Sequence, residues 1–326
     1  MKAVLVDDAT HELSIGEVPD PVPGDDDLLV RVKATALNRA DLLQRVGKYP
    51  PPPGASEILG LEMAGVVERV GKNVRSWSAG DRVSALLPGG GYAQKVVVPQ
   101  GMAMAVPEGL SWTEAASIPE VFLTAYLNLI VLGRLSAGEH VLIHAAASGV
   151  GTASIQLAKE IGAIPIATAG SAEKLAACAK LGARHVINYR DVDFAERVLE
   201  LTDRRGAGVI LDPVGGSYWE KNMRVIARDG RWIIIGGLGG YTVERLDIRA
   251  LMGKRVQLHF STLRSRSESN KVELTQGFAA FASDRFERGT LRPVVDRVFD
   301  WRDVTAAHQY MKENRNIGKI VLTVGD

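Results

Sequence analysis

The chain predicts an α/β protein in two parts, a β-rich domain and a doubly wound parallel sheet, and three observations carry that expectation. Its 326 residues are enough for two domains of ordinary size. A hydrophobic content of 46% with 34 glycines suits strands and helices joined by many tight turns. The pattern also changes near residue 121. Before it, short apolar runs are punctuated by Pro and Gly; after it, short apolar strands alternate with helical periodicity.

Taken in order, residues 1–120 carry candidate strands at 3–6, 28–34, 64–70, 82–86 and 93–98. Tyr49 is followed by four prolines, Pro50 to Pro53, which must be extended and stiff. That segment is either a rigid surface loop or a wall holding Tyr49 over a pocket. Six further candidate strands lie at 140–144, 163–168, 184–187, 208–211, 231–235 and 255–260. With helices between them they fit one parallel sheet in the order 3-2-1-4-5-6. A helical stretch at 268–284, a helix around 302–314 and a strand at 319–324 complete the chain. The expected partition is 1–120 with 265–326 for one domain, and 121–264 for the other.

The segment from Glu139 to Gly151 is the most informative. Val141 to Ile143 is a short strand; it stops at small residues and becomes a helical pattern from Val150 to Ile161. Small residues let the backbone approach a pyrophosphate, and the helix N-terminus presents unpaired N–H groups to it. The glycine fingerprint of such turns reads here Ala146-x-Ser148-x-x-Gly151, with two glycines replaced, so an ordinary strand-to-helix turn fits this segment taken alone. Ser148, Gly149, Val150 and Gly151 are the candidate phosphate contacts.

About 20 residues downstream, NAD-binding folds place an acid on the ribose hydroxyls. Here the strand ends at Gly170 and Ser171, with Lys174 in the first turn of the next helix. A carboxylate would repel a 2′-phosphate, whereas a hydroxyl, free N–H groups and an ammonium bind it. The expected cofactor is therefore NADP(H). The plainer alternative makes Ser171 a helix cap and Lys174 a surface charge. Two more turns, Leu211 to Gly216 and Ile235 to Gly240, follow the fourth and fifth strands, where ligands of such sheets bind. Gly237 and Leu238 are candidates there. Cys178 sits in an apolar helical run and reads as core packing.

Composition narrows the classes. A net charge of +1, from 39 basic and 38 acidic residues, leaves no electrostatic footprint for nucleic acid or a membrane surface. A single cysteine forms no intrachain disulfide. The start of the chain lacks a signal-peptide core, and Val121 to Leu132 reads as a buried helix too short to span a bilayer. A soluble, cytoplasmic protein is expected.

The run Ala36 to Gln44, then Gly47 to Gly54, Leu59 to Gly65, Gly80 to Val83, Leu142 to Gly151 and Asn188 to Arg190 resembles the medium-chain dehydrogenase/reductase superfamily over nearly the whole chain. Within it the chain is similar to the zinc-free, zeta-crystallin-like NADPH:quinone oxidoreductases. Leu87 to Gly91, Gly215 to Glu220 and Leu263 to Arg266 are similar to the tumour-suppressor-inducible branch. The resemblance implies a GroES-like substrate domain and a Rossmann cofactor domain. Zinc-dependent members carry Cys where this chain has Asn38 and His where it has Leu61, together with a four-cysteine zinc lobe; one cysteine cannot supply that lobe and a leucine cannot ligate zinc. No metal site is expected, and an acceptor must be activated by hydrogen bonds and position.

The resemblance further implies a pocket between the domains lined by Asn38, Asp41, Gln44 and Tyr49. Tyr49 is the first choice for substrate contact, since its ring stacks and its hydroxyl donates; Asn38 would orient the ribose or a substrate oxygen. For Asp41 a structural hydrogen bond is as good a reading as catalysis. Thr124 would approach the nicotinamide, Tyr189 the 2′-phosphate, and Leu263, Arg264 and Ser265 with Asn316 would close over the cofactor. The leading expectation is an NADPH-dependent quinone reductase. A reductase of activated C=C bonds shares the hydride chemistry, and a cofactor-binding protein without turnover is a third class. The sixth strand lies at a sheet edge, neither proline-blocked nor strongly charged in its middle, so a homodimer joined near residues 240–262 is expected.

Overall fold

The computed structural model describes residues 1–325; residue 326, the last of the expected substrate-domain segment, lies outside the described residues. The chain divides into two compact units, Met1–Leu123 with Leu263–Asp326, and Thr124–Thr262. Leu263 and Arg264 thus fall in the first unit, not in the cofactor segment.

The first unit begins with strands β1 (Lys2–Val6), β2 (Leu13–Glu17), β3 (Asp27–Ala36), β4 (Glu62–Val70), β5 (Arg82–Leu86), β6 (Lys95–Pro99) and β7 (Ala103–Ala105). The second unit contributes β8 (His140–Ile143), β9 (Ile164–Ala169), β10 (His185–Asn188), β11 (Ala207–Asp212), β12 (Ile226–Ile234) and β13 (Gln257–Phe260). The first unit resumes with β14 (Val295–Asp300) and β15 (Lys319–Thr323).

In the first unit a seven-stranded sheet runs β14-β15-β3-β4-β5-β7, with β6 on the free length of β3. The ten-residue β3 is its spine. It pairs antiparallel with β4, β6 and β15, and most of its residues are buried. β15 brings Lys319 to the same end of the sheet as Asn38, which follows β3 and caps the helix Arg39–Arg45.

The second unit is one six-stranded parallel sheet in the order β10-β9-β8-β11-β12-β13, the expected doubly wound arrangement. Its helices are bounded as their sequences dictate. Ser148 caps Gly149–Ile161, which ends at Gly162 with φ 82°; Ser171 caps Ala172–Leu181, which ends at Gly182 with φ 115°. Under the sheet, Trp232, Trp219 and Phe194 anchor an apolar core, with the two indole rings 4.6 Å apart.

Three expectations change. The strand expected at 255–260 starts at Gln257, because Arg255, at φ 52°, ends the helix Ile248–Lys254. The strand expected at 93–98 is Lys95–Pro99. The stretch Val121–Leu132 is the end of a 21-residue helical run, Trp112–Leu132, long and apolar enough to cross a membrane by length and composition. Most of that run is buried in the structure, as in a core helix.

Candidate active site

In the second unit, the turn after β8 is built for close approach. A Cβ on Gly151 would strike the Ala146 carbonyl, so the helix can press against the turn only because residue 151 is glycine. Ser148 Oγ accepts the Gly151 N–H at 3.1 Å, leaving the neighbouring N–H groups of the first turn as donors. Gly149 is buried and Val150 half-buried beside them.

At the end of β9 the expected residues come together. A Cβ on Gly170 would lie 2.7 Å from the Tyr189 hydroxyl and 3.1 Å from Arg190 Nε, so both side chains lean over this glycine. Ser171 Oγ accepts the Lys174 N–H at 3.3 Å. Its capping role is therefore real, and it leaves the hydroxyl hydrogen as a donor. Arg190, the Ser171 hydroxyl and the Tyr189 phenol make a donor-rich corner around Gly170, with Lys174 in the first turn of the helix that Ser171 caps, a set that suits a dianionic phosphate. Arg190 was quoted in the sequence motif without a role; its place beside Gly170 emerges only from the packing.

The turn after β11 hangs on one carboxylate. Asp212 is fully buried; its Oδ1 accepts the N–H groups of Val214 (2.7 Å) and Gly215 (2.9 Å). Its Oδ2 accepts Asn222 Nδ2 (3.0 Å) and Trp232 Nε1 (3.1 Å). With its amide nitrogen so committed, Asn222 offers Oδ1 to His144 Nε2 at 2.8 Å, and His144 Nδ1 accepts the Thr168 hydroxyl at 2.9 Å. Burial holds the His144 pKa below the usual histidine range, so the ring is a neutral spacer between β8, β9 and the turn. Gly237 lies against the Tyr241 ring, Leu238 is 61% exposed, and Thr124 is buried, its carbonyl accepting Asn128 Nδ2 at 2.7 Å.

The first unit gathers a different set. Lys319 Nζ donates to Glu62 Oε1 (2.7 Å), Asn38 Oδ1 (2.7 Å) and the Leu37 carbonyl (2.5 Å). Asn38 Nδ2 donates to the same Glu62 oxygen at 2.8 Å, and the Glu120 N–H donates to Glu62 Oε2 at 2.8 Å. Both ends of the Asn38 amide are thus fixed. Asp41 is wholly buried: its Oδ2 accepts the Asn38 N–H (2.7 Å) and the Tyr92 hydroxyl (3.3 Å), and its Oδ1 the Gly60 N–H (3.1 Å). Burial pushes its pKa up to about 6. In this place Asp41 ties the helix start to the Gly60 turn. Leu61 is buried too, and the Asn38 amide nitrogen donates to Glu62 Oε1 (2.8 Å) and to the Ala36 carbonyl (3.3 Å).

Beside them Arg264 clamps two loops to the helix Arg39–Arg45. Nε and Nη2 donate to the Pro88 carbonyl (2.9 and 2.7 Å), Nη2 also to Gln44 Oε1 (2.7 Å), and Nη1 to the Tyr49 carbonyl (3.4 Å). Gln44 Nε2 in turn donates to the Glu57 carbonyl at 2.9 Å. The guanidinium lies 5.3 Å from the Tyr49 ring centroid. Tyr49, Pro50, Pro52, Pro53, Arg264 and Ser265 line a cavity of about 250 Å³. Arg264, expected over the cofactor, is committed to protein acceptors, with Leu263 buried beside it and Ser265 exposed. Asn316 is half-buried, its Nδ2 donating to the Gly318 carbonyl at 2.7 Å.

Glu62, Lys319, Glu120 and Pro88 escaped the sequence reading. The signals were thin: Glu62 and Pro88 fell inside quoted motifs, but Lys319 read only as the start of a strand, 281 residues from Asn38.

This fold and these turns agree with the comparisons. The alcohol dehydrogenase GroES-like domain family matches residues 24–108, and the zinc-binding dehydrogenase family matches residues 149–276. The chain belongs to the medium-chain dehydrogenase/reductase family. Among its relatives, the human synaptic vesicle membrane protein VAT-1 homolog is 31% identical over 94% of this chain and 81% of its own. A solved NAD-dependent alcohol dehydrogenase is 33% identical over 100% of both chains, with a TM-score of 0.87. Escherichia coli quinone oxidoreductase, solved with NADPH, is 29% identical over 99% of both, with a TM-score of 0.87. The CurK enoyl reductase is 29% identical over 99% of both, with a TM-score of 0.88.

Proposed function

We propose that this oxidoreductase is an NADPH-dependent quinone reductase that works without zinc. The observation that carries the substrate reading is the cavity walled by Tyr49, its prolines and Arg264. A flat conjugated acceptor is held there by ring stacking and by a nearby cation, with no carboxylate in the lining to repel its electron-rich product. The quinone oxidoreductase among its structural neighbours supports the same reading.

The residues fit a bound NADPH. Ser148, Gly149, Val150 and Gly151 would cradle the pyrophosphate at the helix N-terminus. Gly170, Ser171, Lys174 and Tyr189, joined by Arg190, would hold the 2′-phosphate, and their donor set favours NADPH over the NADH of the alcohol dehydrogenase neighbour. Thr124, Gly237 and Leu238 would face the nicotinamide end. On the substrate side Tyr49 would seat the acceptor, while Asn38, held by Glu62 and Lys319, presents a fixed polar edge. Gln44 and Arg264 would keep the Tyr49 loop in place. When bound, the reduced nicotinamide supplies a hydride to the acceptor.

The runner-up is reduction of activated C=C bonds, favoured by the CurK enoyl reductase at similar identity. NADPH oxidation measured against a panel of quinones and of enones separates the two. Higher kcat/KM for the quinones supports the proposal; turnover of enones alone replaces it, and cofactor binding without turnover of either points to a binding protein. We also propose a homodimer that joins the second unit along β13, whose Phe260 is 74% exposed.

A further inference from the structure

We infer that the Tyr49 cavity selects an acceptor that carries a negative charge, a compact carboxylate-bearing quinone, and that Arg264, with Lys271 behind it, sets this preference; this deepens the quinone-reductase reading and rests on it. The argument starts from what each wall offers. Tyr49, Pro50, Pro52 and Pro53 give the cavity rings and methylenes, and Arg264 gives the lining its formal charge. At about 250 Å³ the cavity lies just under the roughly 300–1,000 Å³ of common ligand pockets, so a small ring system fills it.

The Arg264 charge is fixed in place but not cancelled. The residue is 6% exposed, and all its acceptors are neutral: the Pro88 carbonyl, the Gln44 amide oxygen and the Tyr49 carbonyl. These bonds set the plane of the guanidinium and leave its positive charge whole. They use four of its five N–H groups, so one Nη1 hydrogen has no partner among the described residues. Nη1 is the nitrogen turned toward Tyr49, across from which an acceptor would stack. An anion satisfies such a donor better than a neutral oxygen does.

A second cation stands behind the first. Lys271, half-buried in the helix Glu268–Glu287, donates from Nζ to the Arg264 carbonyl at 3.4 Å, again a neutral acceptor. The acids facing the two cations are Asp41, Glu120 and Glu268, with the Tyr49 phenol beside Arg264. Among the described residues none of the three carboxyls makes an ion pair with either cation. Asp41 is spent on the Asn38 and Gly60 N–H groups and the Tyr92 hydroxyl. Burial first, and the Glu62 carboxylate second, push the Glu120 pKa up to about 8, so that acid keeps its proton at neutral pH. Glu268 is exposed and screened by solvent. Burial also draws the Arg264 and Lys271 pKa values down, as it does for positive charge held away from water. A carboxylate on the acceptor supplies the missing anion while its ring stacks on Tyr49.

Steady-state kinetics on two naphthoquinones of equal size test this, one bearing a ring carboxylate and the other the matching carboxamide. The carboxylate-to-carboxamide ratio of kcat/KM should be at least about tenfold higher in the wild type than in Arg264→Ala, the worth of one charge-assisted hydrogen bond. The intrinsic reactivity of the two quinones cancels in that comparison. Arg264→Lys should keep a ratio near the wild-type one even where its rates are low, because the charge survives when the planar fork is lost. A smaller difference between wild type and Arg264→Ala overturns the inference, as does an Arg264→Lys ratio equal to that of Arg264→Ala. Binding of naphthoate and naphthamide, which accept no hydride, gives a second readout. Naphthoate should bind the wild type at least about tenfold more tightly than naphthamide, and Lys271→Gln should narrow that gap if Arg264→Ala fails to fold. Equal affinities in the wild type overturn the inference. If neither quinone is reduced, the quinone-reductase reading fails, and the binding comparison alone then decides whether the cavity prefers an anion.

Discussion

Lys319 Nζ lies 2.7 Å from Glu62 Oε1, and both side chains are almost wholly buried, at 4% and 0% exposure. Their geometry is saturated: every Lys319 hydrogen and both Glu62 oxygens have partners. Removing one member leaves an uncompensated buried charge, at a cost of about 3–5 kcal/mol. Lys319→Met should therefore lower the unfolding free energy by that amount in chemical denaturation. Adding Glu62→Leu to it should recover part of the loss. If the single variant is as stable as wild type, the pair is not buried as described.

Arg264 should govern the Tyr49 loop through its carbonyl partners. Arg264→Ala is expected to lower quinone kcat/KM, and Arg264→Lys should not restore it, because an ammonium lacks the planar fork that spans Pro88 and Gln44. Tyr49→Ala should raise the quinone KM with NADPH affinity changed much less. The two losses should be less than additive in the double variant, since both empty the same cavity. Wild-type quinone kinetics in Tyr49→Ala would reduce that residue to a wall.

Cofactor choice should rest on the corner at Gly170. Charge-assisted hydrogen bonds contribute about 1.5–3 kcal/mol each. Lys174→Ala and Arg190→Ala should each weaken NADPH by at least about tenfold and leave NADH nearly unchanged, read by fluorescence titration. Equal loss for both cofactors would remove these residues from the 2′-phosphate.

Metal content is a direct check on Asn38 and Leu61. The purified protein should hold no stoichiometric zinc, and chelators should leave activity intact. Zinc lost together with activity on chelation would defeat the proposed mechanism.

Assembly should follow the free edge of the parallel sheet. Among the described residues β13 pairs only with β12, and Tyr241, Met252 and Phe260 are 82%, 72% and 74% exposed. Edges of this kind are normally covered. Light scattering at micromolar concentration should give twice the mass of one chain, and Phe260→Lys should shift it toward the monomer. A single-chain mass for the wild type would sink the dimer.

The sequence by itself determined the parallel sheet and the capped turn after β8. Strand, small residue, Ser cap, helix and Gly stop are local signals, each complete within about 25 residues, as the segments at Ser148 and Ser171 show. It also determined that positions 38 and 61 carry no thiolate or imidazole. Only the tertiary structure decided what those positions do instead. β2 and β14 were missed because Leu13–Glu17 and Val295–Asp300 are short and mostly not buried, so their pairing partners, not their own periodicity, make them strands. The Asn38–Glu62–Lys319 cluster and the Arg264 clamp join residues from distant parts of the chain. No local propensity encodes such pairs. Burial turns an ordinary lysine into a fixed counter-ion for Glu62.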